Sequence, residues 1–563
     1  MNLNTRAKEQ NTFDAIVVGS GISGGWAAKE LCEKGLKVLM LERGAPLVHP
    51  NYPTATQEPW QVDHRNRLTQ EDREKHHIQT RHYSIAGDNK HYYINDLENP
   101  YTESKRFDWI RGNIVGGRSM LWARMSFRWS DLDFEANAKE GIGIDWPLRY
   151  KDIAPWYDYV ESFIGVSGQA ENLPHLPDGK FLPPFEMNCV EKDFKKKAED
   201  KFPGRRVTMG RVANLTQPVK GRGQCQSRSL CHRGCPYGAY FSTNASTLPA
   251  AFETGNLTLR TNSIVNKVIY DEQKQRASGI EIIDAETNEV IEFYSKIVFL
   301  NAATMGTAFI LLNSTSNRFP NGLGNGSDQV GRNIMDHHKG AGASAAVDGF
   351  EDQYYFGRRP TGIYIPRFTN LNEKSSDYLR GFGFQGGASR EGWRGQAGDK
   401  IGEELKEAVM HPGGWNINLG GFGECLPYAE NRATLNTNVK DKWGRNTLTI
   451  DAEFKDNEKV MNKDIAVSAA EMLEAVGYKN VKPYQNISFP GNANHEMGTA
   501  RMGRNPKTSV LNGFNQMHEV KNVFITDGSF MTSSACVNPS LTYMAMTARA
   551  CDYAAKELKK MNI

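Results

Sequence analysis

A chain of 563 residues exceeds one ordinary domain, so two closely built domains are the first expectation. Its 68 Lys and Arg against 65 Asp and Glu leave a net charge of +3, too balanced for the footprint of a nucleic-acid or membrane-surface binder, which points to small molecules or proteins as partners. No apolar run reaches the roughly 18 residues of a spanning helix, and the opening stretch MNLNTRAKEQNTFD lacks the apolar core of a secretory signal; no export address on this chain is expected.

The predicted elements begin at Asp14. DAIVVGSGISGGWAAKELCEKGLKVLMLERG enters as a β-type run (Ala15 to Val18), turns through Gly19-x-Gly21-x-x-Gly24, continues as a helix, and returns as a second apolar run (Lys37 to Leu41) ending on Glu42. That is a complete βαβ dinucleotide unit. Gly19 permits the tight turn, Gly21 lets backbone N–H groups approach a pyrophosphate, and Gly24 brings the helix onto the strand. The pyrophosphate sits where unpaired N–H groups and the helix dipole favour an anion. Glu42, 18 residues past Gly24, is placed to accept from a ribose diol and would repel a 2′-phosphate. The motif does not choose between NAD and FAD.

Residues 51–100 show no clear period and read as an irregular insertion covering one side of the nucleotide site. In RGNIVGGRSMLWARMSFRW, Gly116 and Gly117 allow close backbone approach while Leu121, Trp122 and Met125 form an apolar wall; alone, this pattern is equally an ordinary loop. WPLRYKDIAPWYDYVESFIGV reads as a loop and an amphipathic helix. Short alternating runs from Asn256 to Phe299 suit the second half of the nucleotide-binding domain, and NAATMGTAFILLNS follows as strand end, turn and helix. Between Ala341 and Tyr484, strand-like runs (GIYIPRF, NINLGGFG, TLNTN, LTIDAEF) and a helix from Asp456 to Val476 predict an antiparallel sheet with a flanking helix, suited to holding a substrate over a flat cofactor.

Of eight cysteines, Cys32, Cys189, Cys425, Cys536 and Cys551 are scattered like buried small hydrophobes, and no disulfide framework is suggested. Cys225-x5-Cys231-x3-Cys235-Pro236 is different. Three thiolates so close in sequence suit an iron–sulfur cluster; zinc, with His232 as a fourth ligand, and three unligated thiols are the alternatives.

The N-terminal unit, VGGRSMLW, VGRNIMDHH, GNANHEMGTARMG and NVFITDGSFMTSSACVNPSLTYMAMTARA together resemble the glucose-methanol-choline (GMC) oxidoreductase family. The resemblance selects FAD. It implies a fold of mixed α/β and α+β class: a Rossmann-like FAD-binding domain built from the separated segments 11–60, 110–140, 205–340 and 485–563, with 61–109, 141–204 and 341–484 forming insertions and a substrate domain around an antiparallel sheet. Carried over by motif, Val265 lies near the adenine, Gly116, Ser119, Trp122 and Ala123 near the isoalloxazine, and Asp527 and Gly528 near the pyrophosphate and ribityl chain, with Gly117 also expected to bind the cofactor. The implied catalytic pair is His495 and Asn538, and an asparagine at the second position is similar to the sugar-oxidising branches. A neutral imidazole suits the removal of a hydroxyl proton, and an amide can bond the developing alkoxide without competing for that proton.

Leu121 stands where some relatives carry a histidine bonded to the flavin, so a non-covalent FAD is expected. The cysteine spacing resembles that of bacterial FAD-dependent sugar dehydrogenases with a 3Fe-4S cluster beside the flavin, which deliver electrons to a cytochrome c. Cluster insertion in the cytoplasm implies either a cytoplasmic enzyme or co-export to the periplasm with a small, signal-bearing subunit. The expected reaction is oxidation of a secondary alcohol of a sugar, with C3 of a glucoside favoured. Glucose or gluconate oxidation, an O2-using oxidase, a lyase that keeps FAD only as structure, and a non-enzymatic electron-storing or scaffolding subunit remain open at this point.

Overall fold

The computed structural model describes residues 11–563 apart from 59, 354–356 and 358. Most of the polar N-terminal stretch read for export lies outside the described residues. Among those described, no helix is long and apolar enough to cross a membrane.

Two sheets organise the chain. The first has a parallel part in the order Leu257–Arg260, Val38–Leu41, Thr12–Val18, Val290–Leu300, Val523–Ile525. Ala15 to Val18 and Val38 to Leu41 are buried without alternation, as strands covered on both faces require. Val290–Leu300 serves two neighbours on one edge. Its first half pairs antiparallel with Arg276–Asp284 and, through that strand, with Ser263–Asp271; its last residues pair parallel with Val523–Ile525. The helix Ile22–Glu33 packs on this sheet and against the final helix Ser540–Lys559. Ala27, Ala28, Ala550 and Ala554 form that contact, small enough for the two helices to approach closely.

The second sheet is antiparallel and has six strands in the order Lys479–Gln485, Ala341–Val347, Trp415–Gly423, Phe382–Arg390, Ile363–Ile365, Thr208–Met209. Ala343, Ala345, Phe382, Phe384, Ile417 and Leu419 face the helix Asp456–Ala475 through Ile465, Ala469 and Met472. The alternate positions, including Gln385, Asn416, Asn418 and Phe422, belong to the opposite face.

One expectation is redrawn. TLNTN and LTIDAEF do form strands, Arg432–Lys440 and Asn446–Asp451, but they leave the six-stranded sheet and pair with each other and with Thr102–Glu103. The parallel pairing with Thr102–Glu103 anchors them to the early insertion instead. Thr447 and Leu448 thereby reach the cavity that the two larger sheets share. The insertion itself is a chain of short helical turns such as Gln70–Lys75, Gln79–Arg81 and Lys90–Tyr92, too short to leave a period in the sequence.

Candidate active site

One long cavity runs from Glu42 and Val265 to His495 and Asn538. At its first end, Gly19, Ser20, Gly21, Ile22 and Ser23 form the wall where the helix Ile22–Glu33 begins. Gly21 gives that helix no side-chain cap, and its first turn holds no acid, so the N-terminal N–H groups remain available to an anion. Gly19 has φ +90°, and a Cβ there would stand 2.4 Å from the Asn301 carbonyl oxygen. A Cβ on Gly24 would stand 1.8 Å from the Gly19 carbonyl oxygen, so only glycine closes this turn.

Glu42 is buried, and its carboxylate accepts from Ser20 N (2.9 Å), Ser20 Oγ (2.6 Å) and Gly44 N (2.8 Å). These three bonds fix it and leave lone-pair capacity for a ribose hydroxyl. Gly117, Trp122, Ala123, Val265, Asp527 and Gly528 also line the cavity. Gly24 and Gly116 lie behind the wall, the latter donating its N–H to Ser20 Oγ at 2.8 Å. Ser119 lines the cavity, but its hydroxyl is spent on the backbone: it donates to Gly116 O at 2.6 Å and accepts from Thr243 N at 3.1 Å.

The residues present fit a flavin dinucleotide. Buried Asn301 Nδ2 and Asn494 Oδ1, both from cavity-lining residues, have no hydrogen-bond partner among the described residues. A Cβ on Gly21 would meet nothing within 4 Å, so a ligand can lie directly against the backbone there. Buried polar atoms of this kind are normally satisfied, and a polar ligand satisfies them. Leu121, in the same wall, has no nucleophilic atom for a covalent link.

The other end is built from segments far apart in the chain. Met335 and Met497 exchange backbone hydrogen bonds of 3.0 and 2.9 Å, and His338 exchanges a pair with Gly423. The Asp336-His337-His338 stretch is thus stitched to the His495 loop on one side and to the antiparallel sheet on the other. The buried Asp336 carboxylate accepts four N–H groups, from His337 (2.9 Å), His495 (3.0 Å), Gly491 (2.8 Å) and Ala493 (3.1 Å). Burial and Glu496 push Asp336 up to about 7, opposed by those N–H groups.

Hydrogen-bond logic then fixes the tautomers. His337 Nε2 lies against the Ala535 carbonyl, which only accepts, so Nε2 carries the proton and Nδ1 is an acceptor. That Nδ1 is 2.8 Å from His495 Nδ1, which must donate. His495 Nε2 is left with its lone pair exposed to the cavity. Asn538 Nδ2 stands 3.3 Å from it, and the Asn538 amide is oriented by Gln385 Nε2 donating to its Oδ1 at 2.7 Å. Burial first, then the neighbouring His337 ring and the cations Lys339 and Arg118, pull His495 well below the ordinary imidazole value, and burial brings His337 down to about 4. Both rings are therefore neutral at neutral pH. Phe422, centroid 6.3 Å from the His495 ring, closes the apolar side.

His337, Gln385, Phe422 and the Arg118–Glu496 ion pair (2.7 Å) were not singled out from sequence. The doubled histidine of VGRNIMDHH was the available signal for the first; Gln385 sits in a strand with no motif.

The three loop cysteines are free and half-buried. Burial raises the Cys225 and Cys235 thiols; Cys231 and Cys235 raise Cys225 further, and Cys231 raises Cys235. Among the described residues, no three His, Cys, Asp or Glu side chains gather around one metal-ion position. The expected iron–sulfur ligand set and the zinc alternative are therefore both without support from the arrangement of these side chains. The loop touches the cavity wall, with His232 Nδ1 3.1 Å from the Leu121 carbonyl oxygen.

Residues 13–339 and 427–547 match the models of the GMC oxidoreductase family, and the chain belongs to it. It is an FAD-dependent oxidoreductase of CH–OH donors. Over 96% of its length it is 28% identical to 2-methyl-1,2-propanediol dehydrogenase of Mycolicibacterium austroafricanum, covering 95% of that protein. It is 26% identical to the fructose dehydrogenase large subunit of Gluconobacter japonicus, with 98% of this chain and 100% of the other covered. Among solved structures, a variant of Aspergillus oryzae RIB40 formate oxidase superposes with a TM-score of 0.62 at 15% identity, covering 98% of this chain and 99% of that one, which shows the shared fold.

Proposed function

We propose that this protein oxidises a secondary alcohol of a sugar to the keto sugar, with C3 of a hexopyranoside the favoured position, and passes the electrons to an external acceptor. The observation that carries the reading is the His337–His495–Asn538–Gln385 chain, which leaves one basic nitrogen and one oriented amide facing the cavity. FAD, when bound, supplies the two-electron acceptor for the carbinol hydride. His495 Nε2 takes the hydroxyl proton. The Asn538 amide donates to the oxygen as negative charge develops on it, and Phe422 keeps water from the same face. The likeness to a fructose dehydrogenase supports a sugar and a dehydrogenase.

Cys225, Cys231 and Cys235 would hold a 3Fe-4S cluster, which would supply one-electron transfer outward; the sequence spacing, the mutual influence of the thiols and the loop's contact with Leu121 support this part. A cluster spreads its ligands over several irons, a wider arrangement than one ion requires. Iron analysis and the EPR spectrum of the purified protein test it, and an iron-free flavoprotein would overturn it. A small partner subunit, a cytochrome c acceptor and a periplasmic location by co-export complete the proposal; co-purification and cell fractionation test them.

The central test is an anaerobic screen of sugars against flavin absorbance. Bleaching by a pyranose or pyranoside is expected, with little peroxide formed in air when an artificial acceptor is present. A flavin that no sugar reduces sinks the reading.

A further inference from the structure

The reacting end of the cavity carries more positive charge than the protein neutralises. Lys339 lines it, two residues beyond His337. Its backbone is pinned by Ser488, whose Oγ accepts from Lys339 N at 3.2 Å and whose N–H donates to Lys339 O at 2.9 Å, so the root of the side chain is fixed. Among the described residues the Lys339 ammonium has no hydrogen bond or ion pair. The two carboxylates that influence it are committed elsewhere. Asp336 is filled by its four N–H donors, and Asp108 holds Arg81 (3.0 Å), Arg106 (3.0 Å) and Asn492 (2.9 Å).

Arg124 lines the same cavity. One of its nitrogens donates to the Trp122 carbonyl, its buried Nε has no partner, and it makes no ion pair among the described residues. The carboxylate lining this end, Glu496, is taken up by Arg118. Asp441 and Arg445, also lining, are paired with each other. Lys339 is only partly buried, but an unpaired cation facing an enclosed cavity is better satisfied when an anionic ligand completes the pair. The dinucleotide's own phosphates belong at the opposite end, on the helix that starts after Gly21.

We propose that the substrate is an acidic sugar, and that Lys339 selects it by pairing with the anionic group while the reacting hydroxyl faces His495, with Arg124 as a second cation lining the same cavity. This deepens the sugar-oxidation reading and rests on it. Burial lowers the Lys339 pKa, and pairing with an anion would raise it.

The experiment compares matched pairs in anaerobic flavin reduction and steady-state turnover: glucose with glucuronate and with glucose 6-phosphate, and methyl glucoside with methyl glucuronide. At least one acidic member is expected to exceed its neutral partner in kcat/KM by about 10-fold or more at low salt, the scale of one charged hydrogen bond, and added salt should erode the preference. The carboxylate and phosphate arms tell the two sources of charge apart. In Lys339→Gln the acid-to-neutral ratio should collapse by a similar factor through KM, Lys339→Arg should restore part of it, and flavin content checks that each variant folds. Neutral sugars oxidised as well as their acidic partners would overturn this inference and leave the enzyme a sugar dehydrogenase. A Lys339→Gln enzyme that loses both substrates equally would also overturn it, because Lys339 would then serve the flavin or His495. If no sugar of either kind reduces the flavin, the underlying reading falls first and the inference falls with it.

Discussion

The two ends of the cavity are made in opposite ways. The nucleotide end is backbone: a turn, a helix start and an acid within residues 19–42, all close in sequence. The reacting end is side chains, gathered from the segments around His337, Gln385, Phe422, His495 and Asn538. Backbone recognition tolerates no added atom, whereas side-chain chemistry degrades by steps as each hydrogen bond is removed. Substitution at the first end should therefore cost the cofactor, and substitution at the second should cost rate while the cofactor stays.

The largest effect expected is at Gly24. Gly24→Ala puts a methyl group 1.8 Å from a backbone oxygen that cannot move aside, and the protein should purify with little or no flavin, read as the flavin-to-protein ratio. His495→Ala should keep its flavin and slow anaerobic flavin reduction by about 10²-fold or more, the scale of a lost general base. A colourless His495→Ala protein would break the contrast. His337→Phe removes the acceptor that fixes the His495 tautomer; a loss of roughly 10-fold or more in kcat is expected with flavin retained, since an imidazole freed to adopt the wrong tautomer is a poor base. Gln385→Leu releases the Asn538 amide and should cost about 1 kcal/mol, a several-fold effect, the smallest of the four.

Acid sharpens the same contrast. His495 works only as the neutral imidazole and is held well below 6.5, so kcat/KM should run flat through that pH and fall only on its acid side. Stability follows the same histidines. His82 is lowered to about 3, His337 to about 4 and His338 to about 3, each by burial first. Below 6.5 the unfolded chain takes up protons that the folded one refuses, so stability is full above that pH and is lost as pH falls toward 4 and 3. His232, brought down to about 4, and His495 add to the same slope, which should lose about one proton in His337→Phe, as equilibrium denaturation across pH measures.

The contrast also explains what the sequence disclosed. Gly19, Gly21, Gly24 and Glu42 could be read directly because their geometry is a property of one short stretch. His495 and Asn538 were found through motifs. Their orienting partners were not, since the His337–His495 contact spans 158 positions and Gln385–Asn538 spans 153, distances over which no periodicity carries information. Residues 51–100 looked patternless because their helical turns are so short, yet His82, Ser84 and Tyr93 from that stretch line the cavity. Arg432–Lys440 and Asn446–Asp451 were recognisable as strands, but their sheet was not, because the pairing that decides it comes from Thr102–Glu103.

Asp336 has a consequence for biogenesis. A single carboxylate grips the amides of both histidines and of two residues in the later loop, so the base and its orienting ring come into register only when segments near 336 and 491–495 have met. During synthesis the first of these leaves the ribosome long before the second, and competence must wait for the closing stretch of the polypeptide. A chain that stops before residue 491 contains the glycine turn but neither His495 nor the later amides that Asp336 holds.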